Sequence, residues 1–306
     1  MNFSAMLTRI LTFALLIQCA RSAEYPVLRA EHPFPYSRLL VPNSSGPRTS
    51  VVMLHGSEGG SVAFLDQEAA ILAGAGYAVL TLCYFDCGRS LEGTRQTLKD
   101  VEAAVVLEAV KWLRSLPESD GRVAVYGFSR GGELALIAGS VASSPEETPD
   151  ALIAHTPSDL YRGPFNWSWR DAACWICPAG PGRCAPSTPR AALAWNPGCG
   201  PDDERRIDHY RSAWRVRGEP VWAGTRIEVE RFAGPVLLTV GEQDTLWPPD
   251  QTRRLEQTLR ASGRDVEAHY FPEAGHVFAY ADENRRRGLV LEFLKKWLAG
   301  GGNRAE

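Results

Sequence analysis

The chain has 306 residues, of which 44% are hydrophobic and 23% are charged, and its formal net charge at pH 7 is −3. This length suits one large α/β domain or two small ones, and the composition is that of an ordinary globular protein. Because no strongly basic surface is implied, the composition argues against nucleic acid as a partner.

The first 23 residues have the pattern of a secretory signal peptide. Arg9 precedes the apolar run ILTFALLI at 10–17, and the small residues Ser22 and Ala23 follow. This arrangement is typical of an exported chain, and the apolar run is too short to span a membrane as a mature helix. We expect cleavage near Ser22 or Ala23, export to the periplasm or the exterior, and no integral membrane span afterwards. The alternatives are a lipoprotein site at Cys19, for which the preceding Gln18 is bulky, and a buried N-terminal helix.

Apolar strands alternate with amphipathic helices along most of the remaining chain, 24–306. This alternation predicts a mostly parallel sheet with helices on both faces. The predicted strands are 36–42, 51–54, 77–85, 122–128, 151–157, 235–241 and 263–271, and the predicted helices are 61–75, 94–115, 130–142 and 285–299. In the second helix, apolar residues from Leu98 and Val101 to Leu113 keep helical spacing;.

The alternation stops between residues 158 and 222, a segment called the insert below. A structureless loop of this length is unusual inside a compact domain, so the sequence predicts a cap inserted into the domain. Six of the nine tryptophans of the chain lie there: Trp167, Trp169, Trp175, Trp195, Trp214 and Trp222. They either line a substrate pocket or form a small core of the insert itself.

Six cysteines follow the predicted signal peptide, and an even number in an exported chain indicates disulfides;. Cys83 and Cys87 are close enough in sequence to pair across three residues. The other four lie within the insert and suggest a stapled loop, with three pairings open. The alternative is a zinc site that uses the C-x-x-C spacing. These four are Cys174, Cys177, Cys184 and Cys199;.

The sequence Gly127-Phe128-Ser129-Arg130-Gly131 follows the predicted strand 122–128 and opens the predicted helix 130–142. A serine in a G-x-S-x-G turn between a strand and a helix is typical of a nucleophile elbow. The glycines suit a strained turn where two backbones pass closely. Ser129 is therefore the candidate nucleophile of an α/β-hydrolase.

The partners of such a serine follow in the order acid, then histidine. Asp244 comes just after the strand 235–241, and His276 lies in the loop after the strand 263–271. All three residues therefore follow strand ends, where ligands bind in open α/β sheets. Glu242 is the alternative acid. The pattern predicts a Ser129–Asp244–His276 triad.

An oxyanion hole needs two N–H donors near the nucleophile. One is expected from the backbone of Arg130, the residue directly after Ser129. The other is expected from the glycine-rich loop after the strand 51–54, with the N–H of Ser57 favoured and that of Glu58 second.

Three further side chains are candidates for substrate contact: Trp247, His155 and Asp86. Trp247 follows the acid by three residues, His155 lies near the end of a predicted strand, and Asp86 follows another predicted strand. A hydrogen-bonded core histidine is the alternative for His155, and a solvated loop is the alternative for Asp86 and its neighbour Arg89. His55, in an H-G pair before the glycine loop, has either a structural role or a role as a second catalytic histidine.

Four stretches resemble one α/β-hydrolase family, the C-terminal catalytic domain of acyl-CoA thioesterases and bile acid-CoA:amino acid N-acyltransferases, near the dienelactone hydrolases. The likeness covers about 51–157 and 226–299. The stretches are GSEGGSVAFLDQEAAILAGAGYAVLTLCYF, GFSRGGELALIAG, RIEVERFAGPVLLTVGEQDTLWPP and YFPEAGHVF. The resemblance implies a serine nucleophile of the thioesterase type at Ser129, with Asp244 as the acid and His276 as the base.

The chain departs from this family in three respects. It is too short before residue 51 for the immunoglobulin-like domain of the family, the insert does not resemble the corresponding family segment, and export is not expected for an enzyme of acyl-CoA. We therefore expect an exported serine esterase that acts on a small-molecule ester or thioester and needs no cofactor or metal. The alternatives are an acyl-CoA thioesterase or acyltransferase, a secreted peptidase of the prolyl-oligopeptidase type, and a non-catalytic binding protein.

Overall fold

The structure is a computed structural model. It describes residues 27–29, 31–43, 45–60, 63–88, 97–180, 183–185, 187–200 and 202–298. The predicted signal peptide 1–23 and Arg89 lie outside the described residues.

A sheet of eight strands forms the centre of the molecule. Its order is β1-β2-β4-β3-β6-β7-β12-β13. β1 and β2 run antiparallel to their neighbours, and the other pairs are parallel. The strands are β1 (Val27–Arg29), β2 (Arg38–Val41), β3 (Arg48–Leu54), β4 (Ala78–Leu82), β6 (Ser119–Phe128), β7 (Ala151–His155), β12 (Val236–Gly241) and β13 (Val266–Phe271).

In the described part of the chain, five helices cover the two faces of this sheet. Alternate residues of each central strand point to opposite faces, so one strand serves two cores. The helices are α1 (Ala63–Gly74), α2 (Ala104–Arg114), α3 (Arg130–Val141), α4 (Pro249–Ala261) and α5 (Tyr280–Leu298). In β3, Val51 and Met53 pack with α1 and α5, whereas Val52 and Leu54 pack with α2, α3 and α4. The predicted fold class, a mostly parallel sheet with helices on both faces, is confirmed.

The predicted helix 94–115 is wrong at its beginning. α2 begins at Ala104, and the preceding β5 (Val101–Glu102) is a short strand parallel to β10 of the insert. Leu98 exchanges backbone hydrogen bonds with Phe165, with N···O distances of 2.8 and 3.0 Å. Leu98 and Val101 are buried, but by pairing with the insert rather than by a helix face. Their spacing suits a helix, and tertiary pairing overrides it.

The insert contains two small sheets. β8 (Trp175–Ile176) and β9 (Ala194–Trp195) form an antiparallel pair, and β10 (Arg211–Val216) joins β11 (Glu219–Trp222) to β5. Short 3₁₀ turns connect these strands. The insert thus has a structure of its own and also extends a sheet that the scaffold begins.

Three disulfides confirm the prediction that the six cysteines pair. They join Cys83 to Cys87, Cys174 to Cys199, and Cys177 to Cys184. The two pairs of the insert use all four thiols of the alternative zinc site, so that alternative is wrong for this structure. Among the residues that the structure describes, no helix is both long and apolar enough to cross a bilayer.

Candidate active site

Ser129 lies in a strained turn between β6 and α3. Its backbone has φ 52° and ψ −114°, a conformation that residues other than glycine rarely adopt;. The Ser129 N–H donates to the carbonyl of His155 at 2.8 Å, which ties the turn to β7. A Cβ atom on Gly131 would lie 2.3 Å from the Leu54 carbonyl oxygen, and one on Gly127 would lie 2.0 Å from that of Gly131. The two glycines therefore allow the close backbone approach that the turn needs.

A chain of hydrogen bonds joins Ser129, His276 and Asp244. The Ser129 Oγ to His276 Nε2 distance is 2.9 Å, and the His276 Nδ1 to Asp244 Oδ2 distance is 2.7 Å. Because the carboxylate accepts, Nδ1 carries the proton of the neutral imidazole, and Nε2 accepts from the serine hydroxyl. Residues that follow three different strands thus form one chain of hydrogen bonds.

Backbone donors hold the Asp244 carboxylate in place. Its second oxygen, Oδ1, accepts from the N–H of Leu246 at 2.8 Å and from the N–H of Trp247 at 2.9 Å. The side chain is fully buried. Glu242, the alternative acid, instead forms an ion pair with Arg253 on α4, with an N···O distance of 2.6 Å. The structure therefore brings Asp244, not Glu242, to His276.

The glycine-rich loop 56–60 follows β3 beside the elbow. Its Gly56 carbonyl accepts from His55 Nδ1 at 2.9 Å and from the N–H of Gly59 at 3.4 Å. The Glu58 carboxylate accepts from the Gly56 N–H at 2.8 Å. In the described part of the chain, neither the Ser57 N–H nor the Arg130 N–H has a hydrogen-bond acceptor. Among the described residues, these two amides are therefore the candidate donors to a ligand.

His55 is a structural residue of this loop. Burial lowers its pKa to about 4, so the ring is neutral at pH 7;. With Nδ1–H donating to Gly56, Nε2 accepts from the Tyr84 N–H at 3.4 Å. The Tyr84 ring stacks on the imidazole with centroids 4.0 Å apart. Both ring nitrogens are engaged in the fold, which favours the structural alternative over a second catalytic histidine.

Two of the predicted substrate contacts are buried behind the site. His155 hydrogen-bonds Thr239 Oγ1 at 2.9 Å, and burial lowers its pKa to about 3. Asp86 is also buried, its carbonyl accepts from the Gly60 N–H at 3.2 Å, and a Cβ on Gly59 would lie 2.8 Å from its side chain. The described contacts of Asp86 thus support the glycine loop. His155 is bonded to the neighbouring strand β12 and meets Phe278 edge-to-face, with centroids 4.5 Å apart.

Trp247 lies directly against His276. Its indole meets the His276 ring edge-to-face, with centroids 5.7 Å apart. The guanidinium carbons of Arg130 and Arg162 lie 5.7 and 5.9 Å from the centre of the Trp247 ring, at cation–π distance;. Trp247 thus contacts both His276 and two cationic groups.

A buried carboxylate joins α3 to the insert, and no motif in the sequence pointed to it. Glu133 of α3 pairs with Arg130 at 3.2 Å and accepts from the Arg162 N–H and from Trp214 Nε1, each at 2.6 Å. Burial raises the pKa of Glu133, whereas Arg130 lowers it. The sequence feature that could have revealed Glu133 is its position as the one carboxylate in the stretch ELALIAG, which is otherwise made of apolar residues and glycine. An unpaired charge would be costly there.

The insert tryptophans have different environments. Trp214 and Trp169 are buried, and Trp175 packs edge-to-face on Trp195 with centroids 5.0 Å apart. Trp214 belongs to the core of the scaffold, and Trp175 and Trp195 are only half-buried, so these four do not form one separate core of the insert. The remaining two are exposed, Trp222 on β11 and Trp167 beside the glycine loop, where Trp167 Nε1 donates to the Ser57 carbonyl at 2.5 Å.

Family models match most of the scaffold. Residues 19–175, just over half of the chain, match the model of the X-Pro dipeptidyl-peptidases (S15 family). The chain belongs to this family. Residues 222–292 match the dienelactone hydrolase family. The stretch between the two matched regions of this S15-family chain lies within the insert.

Curated relatives of this S15-family protein are acyl-coenzyme A thioesterases. Acyl-coenzyme A thioesterase 1 of Homo sapiens is 36% identical over 244 residues, which are 78% of this chain and 51% of that protein. Acyl-coenzyme A thioesterase 6 of Mus musculus is 27% identical over 247 residues, 78% of this chain and 50% of that protein. The chain spans about half the length of these relatives, and the predicted resemblance to thioesterase catalytic domains is confirmed.

Solved structures share the fold of this S15-family chain at low sequence identity. Esterase 2 of Thermogutta terrifontis superposes with a TM-score of 0.55 at 17% identity and covers 92% of this chain and 96% of its own. The acylaminoacyl peptidase of Pyrococcus horikoshii superposes with a TM-score of 0.57 at 15% identity. The match covers 95% of this chain and 44% of that peptidase. Both likenesses identify the α/β-hydrolase fold.

Proposed function

We propose that this protein is a serine hydrolase that cleaves carboxylic esters or thioesters through Ser129, His276 and Asp244. The observation that carries the proposal is the hydrogen-bond chain from Ser129 Oγ to His276 Nε2 and from His276 Nδ1 to Asp244, at 2.9 and 2.7 Å. A serine hydroxyl is a weak nucleophile unless a base accepts its proton, and this arrangement supplies such a base.

The first half of the reaction forms an acyl-enzyme. Ser129 Oγ attacks the acyl carbon while His276 Nε2 takes the hydroxyl proton, and Asp244 stabilises the imidazolium that results. The carbonyl oxygen becomes an oxyanion. When the tetrahedral intermediate collapses, His276 gives the proton to the leaving alcohol or thiol.

The second half repeats these steps with water. His276 removes a proton from the water as its oxygen attacks the acyl-enzyme, and the proton then returns to Ser129 Oγ when the acid product leaves. The enzyme ends in its starting state, and no cofactor enters the balance.

Two backbone amides are the proposed oxyanion donors, those of Arg130 and Ser57. Both lack an acceptor among the described residues, which supports this role. The N-terminus of α3 adds its dipole at the same point. Loss of one such donor typically costs about 3 to 4 kcal/mol of transition-state stabilisation. The N–H of Glu58 is the second choice, because its own carboxylate interacts with it.

We further propose that the protein is exported, with residues 1–23 as the signal peptide and 158–222 as a cap on the hydrolase domain. The three disulfides support this location, because such bonds persist in oxidising compartments;. Acyl-CoA is not expected there, so an ester is the favoured substrate. The thioesterase relatives nevertheless keep acyl-CoA as the second candidate, and the S15 match keeps a peptide bond as the third.

Assays of the full chain, purified with its disulfides formed, test the proposal. The substrates are p-nitrophenyl esters of graded acyl length, an acyl-CoA panel and an X-Pro peptide amide, and Ser129→Ala is the matched control. Ester turnover that disappears in Ser129→Ala supports a serine esterase, and the preferred chain length measures the acyl pocket. Turnover that persists in Ser129→Ala excludes the mechanism, and a preference for acyl-CoA or the peptide identifies another substrate class.

A further inference from the structure

We propose that Trp167 of the insert is a positioning residue that holds the glycine-rich loop 56–60 in the shape its oxyanion donor needs. The inference rests on the proposed function, since it concerns the loop that supplies the proposed donors at Ser57 and Glu58. Trp167 lies 110 residues along the chain from Ser57, and its indole Nε1–H donates to the Ser57 carbonyl at 2.5 Å.

Peptide planarity connects this carbonyl to the loop amides. In a planar trans peptide the C=O of one residue and the N–H of the next point in opposite directions. The Gly56 carbonyl, held by His55 Nδ1, therefore sets the direction of the Ser57 N–H. The Ser57 carbonyl, held by Trp167, sets that of the Glu58 N–H.

Residue 57 is thus held on both sides by ring N–H donors. His55 comes from the scaffold and is buried, whereas Trp167 comes from the insert and is exposed. Without the Trp167 bond, the second peptide plane of the turn loses this anchor to the insert. The plane that Trp167 holds carries the Glu58 N–H, and it shares the Ser57 Cα with the plane that carries the favoured Ser57 N–H;. Because an oxyanion donor must point at a position defined to a fraction of an ångström, a shift of this plane would displace the Glu58 N–H directly and the Ser57 N–H through the shared Cα.

The segment that carries Trp167 is itself fixed to the scaffold. Phe165 exchanges backbone hydrogen bonds with Leu98 at 2.8 and 3.0 Å, and Asn166 Nδ2 donates to Thr97 Oγ1 at 2.9 Å. The Phe165 ring also meets the Trp167 indole edge-to-face, with centroids 5.0 Å apart. The indole is therefore held in position although its surface is open to solvent.

The same segment continues into the part of the insert that the disulfides close. The Trp169 carbonyl accepts from Trp175 Nε1 at 3.0 Å, and Trp175 follows Cys174, which is bonded to Cys199. A continuous set of contacts thus runs from the disulfide-bonded hairpin β8–β9 to the candidate oxyanion loop. The insert acts on the reaction through the loop as well as through any pocket that it lines.

The test compares Trp167→Phe with Trp297→Phe in the full chain. Each replacement keeps an aromatic ring and removes an indole N–H that donates a hydrogen bond, since Trp297 Nε1 donates to Glu267 at 3.1 Å on the surface of α5. The measurements are kcat and KM for p-nitrophenyl acetate and amide hydrogen exchange of the loop 56–60, where the Gly56 and Gly60 amides are hydrogen-bonded.

We expect Trp167→Phe to lower kcat about tenfold with KM within about twofold, since a displaced oxyanion donor loses part of the 10²- to 10³-fold effect of its complete removal. We also expect faster exchange in the loop, and neither change in Trp297→Phe. Unchanged kcat and exchange in Trp167→Phe overturn the proposal, as does a rise in KM alone or an equal loss in both variants. If the wild-type chain cleaves no ester, the proposed function fails, and the exchange measurement alone decides whether Trp167 holds the loop.

Discussion

The indole N–H of Trp214 lies 2.6 Å from a carboxylate oxygen of Glu133, and both side chains are completely buried. The tryptophan belongs to the insert, and the glutamate lies four residues after Ser129. The same carboxylate neutralises Arg130, the residue next to Ser129. The insert and α3 are therefore joined through the buried carboxylate of Glu133.

Glu133→Gln should destabilise the protein by about 3 kcal/mol, because it leaves the largely buried Arg130 guanidinium without a counter-charge;. Urea unfolding at pH 7 measures the change in free energy. Glu228→Gln breaks an ion pair with Arg231 in which both side chains are more than half exposed, and it should change the free energy of unfolding by less than about 0.5 kcal/mol;. Equal effects of the two variants would contradict the assigned role of Glu133.

Asp244→Asn should lower kcat by about 10⁴-fold with little change in KM. The amide that replaces the carboxylate is a weaker acceptor for the His276 Nδ1–H and can also present an N–H to the ring. The His276 ring therefore loses the tautomer in which Nε2 is free to accept the serine proton. The measurement is steady-state hydrolysis of a p-nitrophenyl ester. Glu242→Gln is the control, since Glu242 pairs with Arg253, and a loss of kcat in this variant as large as that in Asp244→Asn would show that the acid is misassigned.

The free energy of unfolding should fall as the pH falls below 6.5. Burial lowers the pKa of His55 to about 4 and that of His155 to about 3, so the unfolded chain takes up protons at a higher pH than the folded chain does. The stabilisation by each neutral ring is thus complete above pH 6.5 and decreases toward the folded pKa. Each histidine contributes a slope of up to about 1.4 kcal/mol per pH unit.

Urea unfolding at several pH values between 7 and 4 measures this slope. His155→Gln replaces the titrating ring with a side chain that also hydrogen-bonds but does not ionise. We expect this variant to be less stable than the wild type at pH 7 and to lose stability less steeply in acid. An identical slope in the variant would mean that His155 does not contribute to the acid sensitivity.

Gly131→Ala should destabilise the chain by more than about 3 kcal/mol or prevent folding. Its methyl group would lie 2.3 Å from the Leu54 carbonyl oxygen and 2.5 Å from that of His55, and backbone atoms cannot move away cheaply;. Gly288→Ala in α5 places the same methyl group where no atom beyond the adjacent backbone of its own helix lies within 4 Å, and it should stabilise the chain by about 0.5 to 1 kcal/mol;. Thermal unfolding of the two variants measures both effects.

Removal of the Cys174–Cys199 disulfide should cost more than removal of Cys83–Cys87. The two bonds close segments with sequence separations of 25 and 4, and the entropy lost by the unfolded chain grows with the length of the closed loop;. The difference expected from this effect is at least about 1 kcal/mol. Double Cys→Ser variants of each pair, compared by urea unfolding, measure the difference, and the reverse order would contradict the chain-entropy explanation.

The scaffold was predictable because its signals are local. Continuous apolar runs such as VVML and PVLLTVG indicate buried parallel strands, and the observed β3 and β12 contain them. The positions of Ser129, Asp244 and His276 followed from the same rule, since each comes just after a strand end. A short sequence window contains all the information that these predictions need.

The contacts of the insert depend on residues far apart in the chain, and no periodic pattern records them. Val101 looked helical, yet it lies in β5 because β10, more than 100 residues later, supplies a backbone partner. Glu133 looked like one polar residue in an apolar helix until Arg162 and Trp214 were brought to it. Cysteine content predicted disulfides, but the choice among three pairings required the fold.

The insert separates β7 from β12 in the chain, so Ser129 is made before it and both Asp244 and His276 after it. During synthesis the growing chain already carries its serine and its glycine loop, but it has no base until the last strands emerge. The three residues of the proposed triad therefore come together only when β12 and β13 join the sheet. A chain that ends within the insert would carry Ser129 without Asp244 and His276, so the serine would lack both of its proposed partners.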